Sequence, residues 1–389
     1  MKFSVQNDAL QKGISIVEKA VSGRTSLPIL ENIFLELREG QLKLRGNDLE
    51  IGIENSFPIE SDSVEGSVLV KAKTFSNIIS KLPQGKLDLS VDENNKVVIK
   101  GTNVDFDIHG TATKEYPVFP TIDSGSKFQL KVGELCDLIK HTIFSVSFDE
   151  TKQFLNGILI ENKDGHINFV ATDGYRLALK KQPFSLSEPF SVIAPFKAIN
   201  ELNKIIQSLD PEREVEVTVS KTQIAFKMKD FLLVSRVIQG QFPDYGQVIP
   251  SETNIVFSVP RKPLLDACER ASIIASASNN VVRLRFENEA LTLEANAKEL
   301  GDFKESCDIS RIMGEGTLEI AFNVRLLLDV IKTLTTDDIK MSFNNELSPG
   351  KVQSISDESF TYIIMPIRTN TYQQAEKKEE VQSTASVNG

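Results

Sequence analysis

The sequence predicts an α+β fold of three similar domains, each made of two helix-plus-sheet halves. Three observations lead there. The length of 389 residues exceeds what one hydrophobic core usually organises. A set of segments returns at intervals near 125 residues. Within each interval, apolar residues alternate between helical spacing and the period of two that marks strands.

The opening segment sets the pattern. Phe3-Ser4-Val5 leads to Leu10, Phe128-Gln129-Leu130 to Leu135, and Phe257-Ser258-Val259 to Leu264, at offsets of 125 and 129 residues. Each opening runs into a helical stripe: Leu10, Ile14, Val17; then Leu135, Leu138, Ile139; then Leu264, Leu265, Cys268. A hairpin follows each stripe. The three read Ile33–Leu37 with Leu42–Leu44, Ile158–Ile160 with Ile167–Val170, and Val282–Phe286 with Leu291–Leu293, with Gly or Asn at or near the turns. Alternation in these hairpins gives one covered and one wet sheet face. Second helices are expected over Lys73–Leu82, Phe196–Leu209 and Asn323–Leu334, followed by strand pairs such as Leu87–Val91 with Val97–Ile99 and Val215–Val219 with Ile224–Phe226.

The pattern lapses at residues 120–126 and 250–253, which are rich in turn formers. The domains are therefore expected at 1–124, 125–252 and 253–370, with a flexible, apolar-poor tail over 371–389. The net charge of -10 argues against a nucleic-acid partner unless the charges are unevenly placed. They are: the six helical windows are neutral or basic, the one around residues 71–82 carrying +3. The reading is of helices lining a shared surface that meets phosphates without reading bases.

Other classes find little support. No apolar run approaches the ~18–20 residues of a membrane span, and Met1–Asp8 meets polar and acidic residues before any signal-like core builds up, so a cytoplasmic protein without a membrane partner is expected. An exported β-rich adhesin would also triplicate hairpins, but it should carry such a signal. Cys136, Cys268 and Cys307 are scattered, as are His109, His141 and His166, so no metal and no cofactor is expected. Phosphate-loop, nucleophile-elbow and dinucleotide-turn patterns are missing, which disfavours a hydrolase and leaves no catalytic residues to name. The most tempting acids, Asp48 and Asp173, lie 125 residues apart at one repeat phase just after a hairpin strand, where Asp commonly folds an Asx turn.

Several segments, in order, resemble the bacterial DNA polymerase III beta subunit family of sliding clamps. They are Met1-Lys2-Phe3, Leu27–Asn32, Phe154-Leu155-Asn156-Gly157, Ala171–Ala178, Phe242-Pro243-Asp244-Tyr245 and Tyr362–Arg368, so the resemblance spans residues 1 to about 368. It implies three DNA-clamp domains per chain and a head-to-tail homodimer forming a six-domain ring around double-stranded DNA, without sequence preference. It implies a non-catalytic processivity factor. Its partners would be the DNA polymerase III alpha subunit, the clamp-loader complex and other proteins bearing clamp-binding motifs.

The resemblance also implies sites. Leu155, Thr172, Gly174, Tyr175, Arg176, Leu177, Pro243, Val248, Asn323, Ile363, Met365, Pro366 and Arg368 match a family pocket that captures short peptides, and apolar surfaces with a few polar groups suit that task. The chain departs from familiar members at that rim, with Leu326, Asn279 and Gln247. Phe106 and Ile108 look like a subunit interface facing Ile273 and Ile274 of the partner copy. Arg24 matches a DNA-touching position. Lys12, Lys71, Lys73, Lys152, Lys197, Lys204, Arg261, Lys262 and Lys332 are DNA candidates by helix or loop location.

Overall fold

The computed structural model describes residues 1–21, 23, 26–59, 62–122, 124–186 and 188–368. Its helices are α1 (Asn7–Val17), α2 (Ala72–Lys81), α3 (Val132–Lys140), α4 (Phe196–Ile206), α5 (Arg261–Ala275) and α6 (Val324–Thr333). They stand at the six places where the apolar stripes put them. Three end differently from expectation: Leu82 and Leu334 are extended residues just past their helices, and α4 stops three residues before Leu209. Pro83 explains the first, because the residue before proline is pushed out of the helical region. On α5, Leu264 and Cys268 are buried with Ala267, Ala271 and Ala275, while Leu265 is only half-buried.

The described residues form two compact units, one joining Met1–Cys136 to Leu186–Gln239, the other joining Asp137–Ser185 to the chain from Gly240. In the first unit, Lys2–Gln6, Lys86–Val91, Lys96–Gly101 and Val104–His109 form a four-stranded sheet in that order. A larger sheet runs Gly66–Lys71, Asn32–Arg38, Gln41–Asn47, Ile51–Pro58, Phe231–Arg236, Gln223–Met228, Glu214–Val219 and Ser126–Lys131. In the second unit a sheet runs Gly157–Lys163, His166–Thr172, Arg176–Pro183, Phe360–Ile364, Gly350–Ser354, Asp338–Phe343, Ile255–Pro260 and Ser310–Met313. Its companion runs Gly301–Asp308, Ala290–Ala297, Val281–Glu287 and Leu318–Asn323.

The internal repeat is visible in the strand register. Phe3 lies opposite Leu89, Phe128 opposite Val217 and Phe257 opposite Met341, and all six side chains are buried. The repeats are also sewn together alike. The strand Ile51–Pro58 pairs with Phe231–Arg236, setting Leu233 opposite Ile53, and Arg176–Pro183 pairs with Phe360–Ile364, setting Tyr362 opposite Ala178. One joint therefore occurs twice within the chain: the third strand of a domain's first half pairs with the last strand of the next domain.

One buried core joins α5 and α6 to the strands around them, and in it Phe257 and Phe286 stack at 4.6 Å and Phe286 meets Phe343 at 5.2 Å. Aromatic pairs at these separations add to what burial of their area contributes. Gly46 shows how closely a helix can settle on its sheet, since a Cβ there would stand 2.2 Å from the carbonyl oxygen of Val17.

Candidate functional site

The residues expected at a peptide pocket all fall in the second unit; Leu155 ends the short helical segment Glu150–Leu155, and the others lie on four further stretches of chain. The first is the turn between His166–Thr172 and Arg176–Pro183. Asp173 Oδ1 accepts from the backbone N–H groups of Tyr175 at 2.9 Å and Arg176 at 3.0 Å, while Thr172 Oγ1 donates to the Arg176 carbonyl at 2.5 Å. Gly174 sits at the top with φ +91°, in the left-handed region where glycine is unstrained. The turn chemistry expected of Asp173 and Asp48 is what the structure shows. Asp48 Oδ1 accepts from Glu50 N at 2.9 Å and Ile51 N at 2.7 Å, and Leu49 takes the left-handed place with φ +75°.

Arg176 leaves this turn and ties it to α6. Its Nε donates to Asp173 Oδ2 at 3.0 Å and its Nη1 to Asp329 Oδ2 at 2.5 Å, and the guanidinium lies 5.6 Å from the centre of the Phe144 ring. Burial works against its charge, but Tyr362, Asp329 and Asp173 outweigh that and raise its pKa. The arginine thus fixes the rim.

The second stretch is the start of α6. Asn323 Oδ1 accepts from Arg325 N at 3.0 Å, so this side chain caps the helix. The third stretch is Phe360–Ile364 together with the residues just after it. Leu177 lies opposite Ile363, and Met365 N donates to the Tyr175 carbonyl at 2.9 Å. The fourth is the 242–248 segment, where Asp244 Oδ1 accepts from Gly246 N at 3.1 Å and the Tyr245 hydroxyl donates to Glu161. Burial, first, and the neighbouring Glu161 carboxylate raise the pKa of the Tyr245 phenol.

Burial divides the candidates. Leu155, Leu177 and Ile363 are buried, and Thr172, Arg176, Asn323 and Pro366 are half-buried. Gly174, Tyr175, Pro243, Val248, Met365 and Arg368 are exposed, with Tyr175 at 70%. A buried aliphatic floor with exposed Tyr175, Val248 and Met365 offers apolar surface to a ligand. Sequence reasoning missed Asp329, which holds Arg176, and Tyr245, which anchors the 242–248 segment. It also missed Lys180, whose Nζ reaches Asp137 at 3.0 Å and Asp357 at 2.8 Å. These depend on tertiary neighbours that no local pattern announces.

At the expected subunit interface, Phe106 is 37% exposed and Ile108 half-buried on Val104–His109, an edge strand. Ile273 is 67% exposed, whereas Ile274 packs partly against its own core. The strand Gly301–Asp308 is likewise an edge, and Arg270 Nε donates to Glu305 on it at 2.7 Å.

The basic candidates separate too. Lys71 pairs with Glu31 at 2.7 Å, Lys204 with Glu201 at 2.7 Å and Lys332 with Glu269 at 2.9 Å. Lys197 pairs with Asp48 and Lys262 with Asp266, while Arg261 Nε donates to the Thr336 carbonyl at 2.9 Å. Lys12, Lys73 and Lys152 are exposed and make no ion pair among the described residues. Arg24 and the 371–389 tail lie outside the described residues.

Two helix-plus-sheet halves per repeat, three repeats and a shared strand joint define a protein of tandem clamp domains. Comparison with known proteins gives the family. Residues 1–120, 129–244 and 246–368 match the family models of the DNA polymerase III beta subunit N-terminal, central and C-terminal domains. The beta sliding clamp of Bacillus subtilis (strain 168) is 33% identical over 380 residues, covering 95% of this chain and 100% of the relative. That of Synechococcus elongatus is 33% identical over 376 residues, covering 95% and 99%. Among solved structures, the DNA polymerase sliding clamp from Bacillus subtilis aligns with a TM-score of 0.89 at 32% identity, over 95% of this chain and 99% of that one. The DNA polymerase III subunit beta from Pseudomonas aeruginosa aligns with a TM-score of 0.90 at 28% identity, over 95% and 100%. The chain belongs to the DNA polymerase III beta subunit family.

Proposed function

We propose that this chain is a DNA sliding clamp: two copies join head to tail in a six-domain ring that encircles duplex DNA and tethers the replicative polymerase. It is a processivity factor and not an enzyme. The observation that carries the ring is the repeated strand joint. Inside the chain the joint is made twice; its two half-joints, Val104–His109 in the first domain and Gly301–Asp308 in the third, are left as edges. Joining them between two copies repeats the internal contact. A head-to-tail contact that closes gives a ring.

The register follows from the internal joints. Phe106 lies opposite Ile99, as Leu233 lies opposite Phe226 and Tyr362 opposite Val352. Phe303 lies opposite Ala295, as Ile53 lies opposite Gly46 and Ala178 opposite Ala171. Phe106 of one copy is therefore the counterpart of Leu233 and Tyr362, and it faces Phe303 of the next copy, with Ile108 and the exposed Ile273 nearby.

Three clamp domains over 1–124, 125–252 and 253–370 belong to this reading; the family matches run over 1–120, 129–244 and 246–368, so the first limit lies in the gap between two matches and the second lies seven residues inside the third. The surface around Leu177, Ile363, Tyr175, Val248 and Met365 takes peptide segments of the polymerase alpha subunit, the clamp loader and other clamp-binding proteins. Lys12, Lys73 and Lys152 have the charge free to meet phosphates. No described helix is long and apolar enough to cross a membrane, and the protein works in the cytoplasm with the replication machinery.

The test is loader-dependent retention on nicked circular DNA before and after the circle is cut. A dimer that stays on circles and leaves once ends are made supports topological clamping. Binding indifferent to DNA ends would sink it.

A further inference from the structure

The buried floor of the candidate groove does not end at Ile363. Thr172 lies opposite Leu177 and Leu177 opposite Ile363, and the same row continues from Ile363 to Lys351 and from Lys351 to Ser342. Directly opposed residues share one sheet face with Cβ atoms about 4.5–5.5 Å apart. The half-buried Lys351 therefore stands beside Ile363 on the groove's own face.

Two further lysines share that face by the alternation of strands: Lys340, two residues before Ser342, and Lys181, four after Leu177. None of the three makes an ion pair among the described residues, whereas Lys180, on the opposite face, is held by two aspartates. Burial, first, and then the charges of Lys340 and Lys181, against a partial offset from Glu358, lower the Lys351 pKa. A cation held partly out of water beside like charges gains when a carboxylate arrives, since the new pair is less screened than one in open solvent.

We propose that Lys351 is a specificity residue of the groove, taking an Asp or Glu carboxylate from a docking peptide whose apolar side chains rest on Leu177 and Ile363. This rests on reading the groove as a peptide site. It adds that the site selects by charge as well as by apolar fit.

The experiment is fluorescence anisotropy with labelled leucine- and phenylalanine-bearing peptides, made in pairs that differ only by Asp or Asn, with that residue stepped through each non-anchor position. In the wild-type chain at about 50 mM salt, one position favours Asp by roughly three- to tenfold, and the preference shrinks at about 500 mM. Lys351→Gln abolishes the preference and Lys351→Arg keeps it. The salt series on the wild-type chain stands if a variant does not fold. Equal binding of Asp and Asn peptides at every position, or a preference that survives in Lys351→Gln, overturns the assignment while the groove stands. If no peptide of either kind binds, the groove reading fails, and the role of Lys351 with it.

Discussion

Arg176 and Asp329 are 153 positions apart, yet the Arg176 guanidinium donates to the Asp329 carboxylate while also holding Asp173 in the turn below it. The arginine side chain is only 10% exposed, and Asp329 is 43% exposed. The link connects the exposed turn bearing Tyr175 to the helix that Asn323 caps.

Arg176→Ala should lower stability by about 1–3 kcal/mol, less than for a fully buried pair because water reaches Asp329. It should also weaken peptide capture, because the turn loses its anchor. Arg176→Lys should not rescue either effect fully, since an ammonium cannot span both carboxylates with a planar fork. Urea unfolding and peptide titration of the two variants check this; wild-type behaviour of Arg176→Ala in both would contradict it.

Acid should loosen the second unit through Asp137. Burial pushes its carboxyl up, but His141 and Lys180 pull it further down, to about 2, against an ordinary value of 3.8. Because the folded value is the lower one, the stabilisation is present above about pH 4 and is lost as pH falls toward 2. At Asp357 burial again pushes the carboxyl up, but Lys180 and the hydrogen bonds from Ser359 outweigh it and hold it low. Urea midpoints across this range should fall less steeply in Lys180→Met than in the wild-type chain; parallel curves would show that the cluster carries no such linkage.

Phe106→Cys with Phe303→Cys should give a dimer closed covalently at both joints under mild oxidation, because opposed strand residues place Cα atoms within disulfide reach. Either single change should not. The double variant, oxidised after loading, should stay on circular DNA through high salt. Cross-linking absent under native conditions would mean the copies meet in another register.

Neutralising Lys12, Lys73 or Lys152 should reduce salt-sensitive DNA contact more than neutralising Lys71, Lys204 or Lys332, which are already paired. Each free lysine that touches phosphate should lower the slope of log affinity against log salt by about 1. Binding isotherms at several salt concentrations distinguish the two groups.

Much of the fold was legible because it is written in local periods. Phe3, Phe128 and Phe257 open equivalent strands, and each hairpin could be read from its alternation. The turns at Asp48 and Asp173 were legible for the same reason, as an Asx turn is a contact with the residue's own neighbourhood. Asn323, expected as the first residue of its helix, is in the structure the cap just ahead of α6. Asp329 and Lys351 were not legible. One depends on where a helix settles and the other on cross-strand register, and neither leaves a trace in nearby residues. The lysines show the same limit, since spacing put nine basic residues on helices and loops but could not say which had met a carboxylate.

The two unmatched strand edges impose a condition on the concentrated protein. Because Val104–His109 and Gly301–Asp308 are different surfaces, each copy that uses one still offers the other, and nothing in a single contact counts copies. Only geometric closure ends the series, so a variant that tilts one joint by a few degrees should grow open filaments rather than fall back to monomers. Asp105 and Asp107 place negative charge along the first edge, as exposed strand edges often do to discourage unintended partners. The same strand must therefore welcome one neighbour and refuse all others.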